Sequence, residues 1–114
     1  MTEGIVVEDV EGHLTFVNPA AAALLGYSPA ELLGQHWTAI TPPDQHSIVR
    51  AADERRARGE SDRYELQLTR KDGTRALVLV SGSPRFKEGR FAGSLAVFTD
   101  ITSANRQRRR WNSW

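Results

Sequence analysis

The sequence predicts a single α+β domain in which a mostly antiparallel sheet carries helices on one face. Its 114 residues are 39% hydrophobic and 25% charged, which is typical of one soluble globular domain. Strand-like segments occur near the start and in the last third, and helix start and stop signals fill the stretch between them. Strands that are joined by short turns pair antiparallel, so we expect hairpins in both groups of strand-like segments.

The composition excludes several classes of site and location. The chain has no cysteine, which excludes disulfides, thiolate zinc sites, iron–sulfur clusters and a cysteine nucleophile or photochemical adduct. No apolar run approaches the roughly 18 residues of a membrane-spanning helix, and residues 1–4 do not resemble a signal peptide. We therefore expect a cytoplasmic domain with no membrane span in this chain.

The charge is distributed unevenly. The formal net charge is +1, but Arg106, Arg108, Arg109 and Arg110 lie together near the C-terminus, so the rest of the chain is net negative. We therefore predict that the core domain does not bind nucleic acid. The basic C-terminal stretch also holds two tryptophans, and we interpret it as a solvated helix face rather than a site.

The first two strands form a predicted hairpin. Residues 4–8 are rich in β-branched side chains, and Glu11-Gly12 is a turn signal. Residues 13–17 then supply the second strand.

Helix start signals follow the hairpin. Three dipeptides place a capping side chain before a proline at the first helical position: Asn18-Pro19, Ser28-Pro29 and Thr41-Pro42. Glu31 completes a capping box with Ser28, and Asp44 stands at the equivalent place after Thr41. Three glycines stand where helices need a left-handed residue after their last turn: Gly26, Gly34 and Gly59. The sequence therefore predicts two short helices and a long one over about residues 42–58.

Three strands complete the chain. Residues 64–69 alternate apolar and polar side chains, as a half-buried strand should. We expect Asp72-Gly73 to supply the positive φ values of a tight hairpin turn. Residues 75–85 and 91–99 form the fourth and fifth strands, with a second turn at residues 87–89.

The last two strands are apolar on both alternating sets, whereas a sheet with one solvated face should alternate. One set can pack beneath the helices: Val78, Val80, Ala96 and Phe98. The other set needs separate cover, and with the first strand it comprises Ile5, Val7, Leu77, Leu79, Leu95 and Val97. An uncovered patch of this size is unusual on a monomer, so we predict a homodimer. A flanking helix and a C-terminal tail that folds back alone are the alternatives.

An ordered set of motifs resembles the PAS domain family of bacterial signalling proteins. Residues 4–9 (GIVVED), Gly12, residues 16–21 (FVNPAA) and residues 25–34 (LGYSPAELLG) match its first half. Its second half is matched by Pro43-Asp44, residues 70–74 (RKDGT) and the closing Asp100-Ile101-Thr102. The resemblance extends from residue 4 to residue 102, and its specificity lies in the order and spacing of the set.

The resemblance implies a five-stranded antiparallel sheet with spatial order 2-1-5-4-3 and a helical cradle that encloses a pocket. It implies a PAS domain over residues 1–102, with residues 103–114 as the start of a signalling helix or as a tail. It also implies sensory input to a linked effector, such as the histidine kinase of a two-component system, a nucleotide cyclase or a transcription regulator. Asp100 and Thr102 would hold the signalling helix to the sheet.

The inward set predicts the wall of a ligand pocket. The sheet would contribute Val6, Glu8, Leu66, Leu68, Val78, Val80, Ala96 and Phe98. The helical side would contribute Ala21, Leu25, Trp37 and Ile40. Such a lining suits a small organic ligand, and a filled core made of the same residues is the alternative. Glu8 would have a raised pKa unless an arginine pairs with it, and it could bind a cation or a hydroxyl.

We predict no flavin. Trp37 falls where light-oxygen-voltage domains, which belong to the same family, place their adduct-forming cysteine, and a tryptophan shrinks the cavity. Leu68, Val78 and Phe98 replace polar residues that those domains direct at the flavin ring.

We also predict no heme and no metal. His46 lies about one turn before the histidine that heme-binding relatives place on the long helix, so we expect it to face solvent. His13 and His36 are expected at the surface, and no two histidines have the spacing of metal ligands.

The sequence therefore favours a sensory module that binds a small ligand and transmits its state through a C-terminal helix. The alternative is a ligand-free dimerisation or protein-interaction module. There is no phosphate-binding loop, zinc motif or suggested Ser/His/Asp arrangement, so we predict that the domain is not an enzyme.

Overall fold

Five strands and three α-helices make up residues 3–102, the part of the chain that the computed structural model describes. The strands are β1 (Gly4–Glu8), β2 (Leu14–Val17), β3 (Asp62–Thr69), β4 (Arg75–Lys87) and β5 (Arg90–Asp100). The helices are α1 (Pro19–Leu25), α2 (Pro29–Leu32) and α3 (His46–Ala57). Two 3₁₀ turns, Trp37–Ile40 and Pro43–Gln45, connect α2 to α3. No helix within these residues is both long enough and apolar enough to cross a membrane.

The strands form one antiparallel sheet in the order β2-β1-β5-β4-β3. The helices lie on one side of it, which we call the inner face, and the opposite side is the outer face. This confirms the predicted α+β class and strand order. β5 is the central strand, with β1 and β4 on either side of it. The apolar side chains on both faces of these strands leave water only if each face is covered.

The first two helices begin as predicted. The Asn18 side-chain oxygen accepts from the backbone N–H of Ala21 at 2.9 Å and from that of Ile5, also at 2.9 Å. Ser28 and Glu31 form the reciprocal capping box. Asn18 therefore fixes α1 to β1 as well as starting the helix.

The predicted start of the long helix is wrong. The Thr41 hydroxyl donates to the Trp37 carbonyl oxygen at 2.7 Å and so closes the preceding 3₁₀ turn instead of capping the long helix. Pro42 precedes a second 3₁₀ turn without a side-chain cap, and α3 begins only at His46. Asp44, predicted for a capping box, instead forms two bonds with the Arg75 guanidinium, at 2.9 and 3.0 Å.

Both later turns form where they were predicted, but the turn at Asp72-Gly73 is not of the predicted type. At Asp72-Gly73 only the glycine has a positive φ, and the Asp72 carboxylate accepts from the Thr74 N–H at 2.9 Å instead. The tight two-residue turn is Glu88-Gly89, where both residues have positive φ. β3 pairs with β4 only as far as Gly82, and β1 pairs with β5 only as far as Ser94. Residues 85–93 of β4 and β5 therefore pair with each other alone and form a two-stranded ribbon.

Candidate functional site

The residues predicted as a pocket wall gather between the helices and the inner face. Ten of them are at most 6% exposed and belong to one apolar cluster: Val6, Ala21, Leu25, Trp37, Ile40, Leu66, Leu68, Val78, Val80 and Phe98. Ala96 is half-buried and packs against this cluster. Glu8 is half-buried at its margin. We call these twelve residues the inner cluster.

Trp37 closes the helical side of the inner cluster. The His46 ring packs edge-on against it with centroids 5.1 Å apart, and the Arg50 guanidinium lies 5.9 Å from its ring centroid. His46 Nε2 donates to the Thr41 carbonyl oxygen at 2.9 Å. The expectation that His46 faces solvent is therefore wrong, because the side chain is half-buried against an aromatic neighbour.

The other two histidines lie on the far side of Trp37. His13 and His36 face each other across an isolated β-bridge with ring centroids 5.4 Å apart, and His36 also stacks on Trp37 at 5.1 Å. His36 Nδ1 accepts from the Thr38 N–H at 3.3 Å. Within residues 3–102, no group of three or more His, Asp or Glu side chains is arranged to hold a metal ion.

Glu8 is the polar member of the inner cluster. It lies at the end of β1, points to the same face as Val6 and pairs through its backbone with Ser94 of β5. Burial, together with the negative charges of Asp53 and Asp9, raises the pKa of Glu8 to about 8. Within the described chain its carboxyl has no ion-pair or hydrogen-bond partner. The raised pKa favours the protonated form of Glu8, which is the direction expected for a partly buried carboxyl with no arginine paired to it.

The outer face presents the second apolar set. Its members are all half-buried: Ile5, Val7, Leu77, Leu79, Leu95 and Val97. Phe16 of β2 lies opposite Val7 on the same face and is 49% exposed. Leu79 and Val97 line a groove of about 260 Å³ on this face. The residues 3–102 leave this face partly open to water.

Asp100 and Thr102 fix the point at which the chain leaves the sheet. The Thr102 hydroxyl accepts from the Leu77 N–H at 3.0 Å and lies 3.4 Å from the Leu77 carbonyl oxygen. The Thr102 N–H donates to the Asp100 carboxylate at 2.9 Å, and the Ile101 N–H donates to the Leu77 oxygen at 2.9 Å. The predicted helix over residues 103–114 lies outside the described residues.

A family model described as "PAS domain" matches residues 2–103. The chain belongs to the PAS domain family. Solved structures share its fold. The PAS domain of a protein from Colwellia psychrerythraea superposes with a TM-score of 0.80 at 24% identity, covering 89% of this chain and 87% of the other.

Two further solved structures are similar to this PAS domain. The PAS domain of an HTR-like protein from Haloarcula marismortui has a TM-score of 0.74 at 27% identity and covers 87% and 81% of the two chains. A domain of a sensory box sensor histidine kinase/response regulator from Geobacter sulfurreducens has a TM-score of 0.72 at 28% identity and covers 86% and 82%.

Two curated relatives match the PAS domain over a small part of their own length. The signal transduction histidine-protein kinase AtoS of Escherichia coli is 28% identical over 109 residues, covering 95% of this chain and 18% of AtoS. Two-component system protein A of Emericella nidulans is 31% identical over 105 residues, covering 86% and 15%. The chain therefore spans less than a fifth of these relatives.

Sequence reasoning missed a polar cluster beside the PAS core. Arg56 of α3 is 2% exposed, pairs with Asp62 of β3 and donates to the Glu60 carbonyl oxygen at 3.1 Å. Asp53, about one turn earlier, is half-buried and lines a surface groove with Phe91 and Ser94 of β5. Helical spacing could have indicated this cluster, because it places residues 49, 52, 53 and 56 on the face of α3 that carries Val49 into the core.

Proposed function

We propose that this PAS domain is the sensory module of a longer signalling protein. It binds a small organic ligand at the inner cluster, forms a homodimer through the outer face and passes its state to an effector such as a histidine kinase. The observation that supports this proposal is the apolar character of both faces of β1, β4 and β5. One face supplies a chamber wall and the other an attachment surface.

The chain exit supports the proposed route of transmission. Thr102 holds the backbone of Leu77, and the Leu77 side chain belongs to the outer face. A shift of β4 therefore moves Thr102 and with it the start of the chain segment that follows. The similarity to parts of two-component signalling proteins supports a histidine kinase as effector.

The chemistry of the inner cluster favours a mostly apolar ligand with one polar group. Eleven of its members are apolar, and Glu8 alone offers a carboxyl at the margin. We assign no catalytic role to the domain and propose that it acts in the cytoplasm, which its cysteine-free composition permits.

A ligand-free interaction module is the second candidate. It is favoured by the deep burial of ten inner-cluster side chains, with Trp37 and Ile40 closing the helical side. Native mass spectrometry of protein from unsupplemented cells separates the two candidates. An added mass that disappears under denaturing conditions indicates a sensor, and the bare chain mass indicates a filled core.

The dimer is tested by charge substitutions on the outer face. We expect Leu79→Arg and Val97→Arg to convert a dimer into a monomer, because each buries a charge at the centre of the apolar contact. Sedimentation equilibrium measures the change. Leu33→Arg is the matched control, since Leu33 is 46% exposed on the helical side of the sheet.

The unsubstituted chain decides the outcome. A wild-type domain that stays monomeric at millimolar concentration contradicts the proposed use of the outer face. The same holds if Leu33→Arg dissociates the dimer as readily as Leu79→Arg does.

A further inference from the structure

The apolar side chains of the outer face form an oblique stripe. Strand register arranges the outer side chains in rows that cross the sheet. From one row to the next, the apolar positions shift from the β2 edge toward β4. The resulting stripe, which we call the outer stripe, comprises in order Phe16, Val7, Leu95, Ile5, Val97, Leu79 and Leu77.

Glu3 and Arg63 lie on opposite sides of the outer stripe, near its middle. Both line the groove of about 260 Å³ that Leu79 and Val97 also line. Arg63 of β3 belongs to the row of Val97, and Glu3 lies just before β1, one row further along. Because the stripe crosses the rows obliquely, the charged side chain directly across it from Glu3 is Arg63.

The two charges cannot satisfy each other within one chain. β1 and β3 are separated by three strand spacings, a distance of about 14 Å. Both side chains are exposed, and among residues 3–102 neither has an ion-pair partner. The groove therefore carries a negative charge on one rim and a positive charge on the other.

We propose that the outer stripe is self-complementary, so that Glu3 of each copy pairs with Arg63 of the other copy in the homodimer. The pairing rests on the proposed outer-face dimer and specifies its orientation. A homodimer that uses one patch twice has a two-fold axis. Two elongated stripes overlap fully only if that axis runs along them or at right angles to them.

The charges discriminate between these two orientations. With the axis along the stripe, the Arg63 side of each copy lies over the Glu3 side of the other, and two contacts between opposite charges form. With the axis across the stripe, each side meets itself, and like charges approach each other. Complementary rim charges fix the orientation of a complex even where they add little affinity.

The reach of the side chains suits the favoured orientation. Stacked sheets lie about 10 Å apart, a gap that a glutamate and an arginine together can bridge at the rim of the contact. Since Leu77 ends the outer stripe and its backbone holds Thr102, both chain exits then lie at the same end of the dimer.

Charge reversal tests the pairing. At low salt, Glu3→Arg and Arg63→Glu should each raise the dimer dissociation constant by about tenfold, because two attractive contacts become repulsive. The double variant exchanges the charges and should return to within about threefold of the wild type. Sedimentation equilibrium measures the constants. Glu54→Arg makes the same change of charge at an exposed position of α3, on the other side of the sheet, and should leave the constant unchanged.

Cross-linking gives the second readout, because the chain contains no cysteine. Glu3→Cys and Arg63→Cys chains are prepared separately, mixed and treated with a short bifunctional thiol reagent. We expect cross-linked dimers in the mixture and in neither variant alone. A two-fold axis across the stripe predicts the reverse, since each variant would then cross-link to itself.

Two results would overturn the pairing. One is a double variant that dimerises no better than the single variants. The other is a mixture without cross-linked dimers, or a single variant that forms them. A wild-type chain that stays monomeric refutes the dimer itself, whereas a dimer that ignores both reversals keeps the outer-face contact and loses only the pairing. The two failures are therefore distinguishable.

Discussion

Gly82 allows a charged side chain to lie flat on the sheet. A Cβ at this position would stand 2.7 Å from Cζ of the Arg56 guanidinium, which is closer than nonbonded carbon atoms approach each other. Arg56 cannot move away freely, because it is 2% exposed and bonded to Asp62 and to the Glu60 carbonyl oxygen. The absence of one methyl group therefore decides where the buried cation can lie.

Gly82→Ala should destabilise the domain by about 1–3 kcal/mol, the usual cost of forcing an added methyl into a packed site. Urea denaturation monitored by tryptophan fluorescence measures the loss. Ser81→Ala, at the neighbouring exposed position, is the control and should change stability by less than about 0.5 kcal/mol. Equal stability of Gly82→Ala and the wild type would show that Arg56 relaxes without cost.

At the scale of elements, one ion-pair group ties α3 to β3. Asp62 opens β3 and accepts from both Arg55 and Arg56, so consecutive residues of the helix hold the first residue of the strand. A surface pair lies two residues before that strand, where Arg58 bonds Glu60 at 2.7 Å with both side chains more than half exposed. The two pairs differ mainly in burial.

Asp62→Ala should cost about 3 kcal/mol, because it leaves the Arg56 charge buried without its partner. Glu60→Ala removes an exposed partner and should cost less than about 1 kcal/mol. Thermal and urea denaturation of both variants give the comparison. Similar losses for both would mean that water reaches Arg56 and that its burial does not govern the strength of the contact.

The elements whose local chemistry is self-contained were predictable from the sequence. Asn18 and Ser28 cap α1 and α2 as predicted, because each cap depends on residues within three positions. Thr41 has the same local sequence signature, yet its hydroxyl bonds back to Trp37. Whether such a residue caps the following helix or bonds to the preceding turn depends on the conformation of the chain before it. Short-range sequence patterns do not describe that conformation.

The candidate site was predictable to the extent that it depends on strand periodicity. Alternation assigned Val6, Val78 and Phe98 to the inner face, and burial confirms their placement. The Arg56–Asp62 contact depends on how α3 lies across the sheet, which no local pattern determines. Whether the inner cluster and the outer face bind anything is still a prediction.

At the scale of the whole molecule, β4 connects the two faces to the chain exit. Val78 and Val80 point into the inner cluster, Leu77 and Leu79 point to the outer face, and the backbone of Leu77 holds Thr102. One strand therefore contacts the proposed ligand site, the proposed dimer surface and the start of the following segment. A displacement along β4 reaches all three.

Thr102→Val keeps the shape of the side chain and removes the hydroxyl. We expect faster amide exchange at Leu77, whose N–H loses its acceptor, by about five- to tenfold for a bond worth roughly 1 kcal/mol. Hydrogen exchange by NMR measures it. Thr102→Ser retains the hydroxyl and should preserve protection, and unchanged exchange in Thr102→Val would remove Thr102 from the transmission route.

The ribbon at residues 85–93 has two backbone edges that no other strand within residues 3–102 occupies. Phe86 and Phe91 face each other across it with ring centroids 6.2 Å apart and hold the two strands together. Lys87 and Arg90 are directly opposed, an arrangement of like charges that costs local stability. The same cations repel an approaching strand of another copy. In the dimer proposed through the outer face, this pair of like charges disfavours the addition of a further copy at the edges of the ribbon.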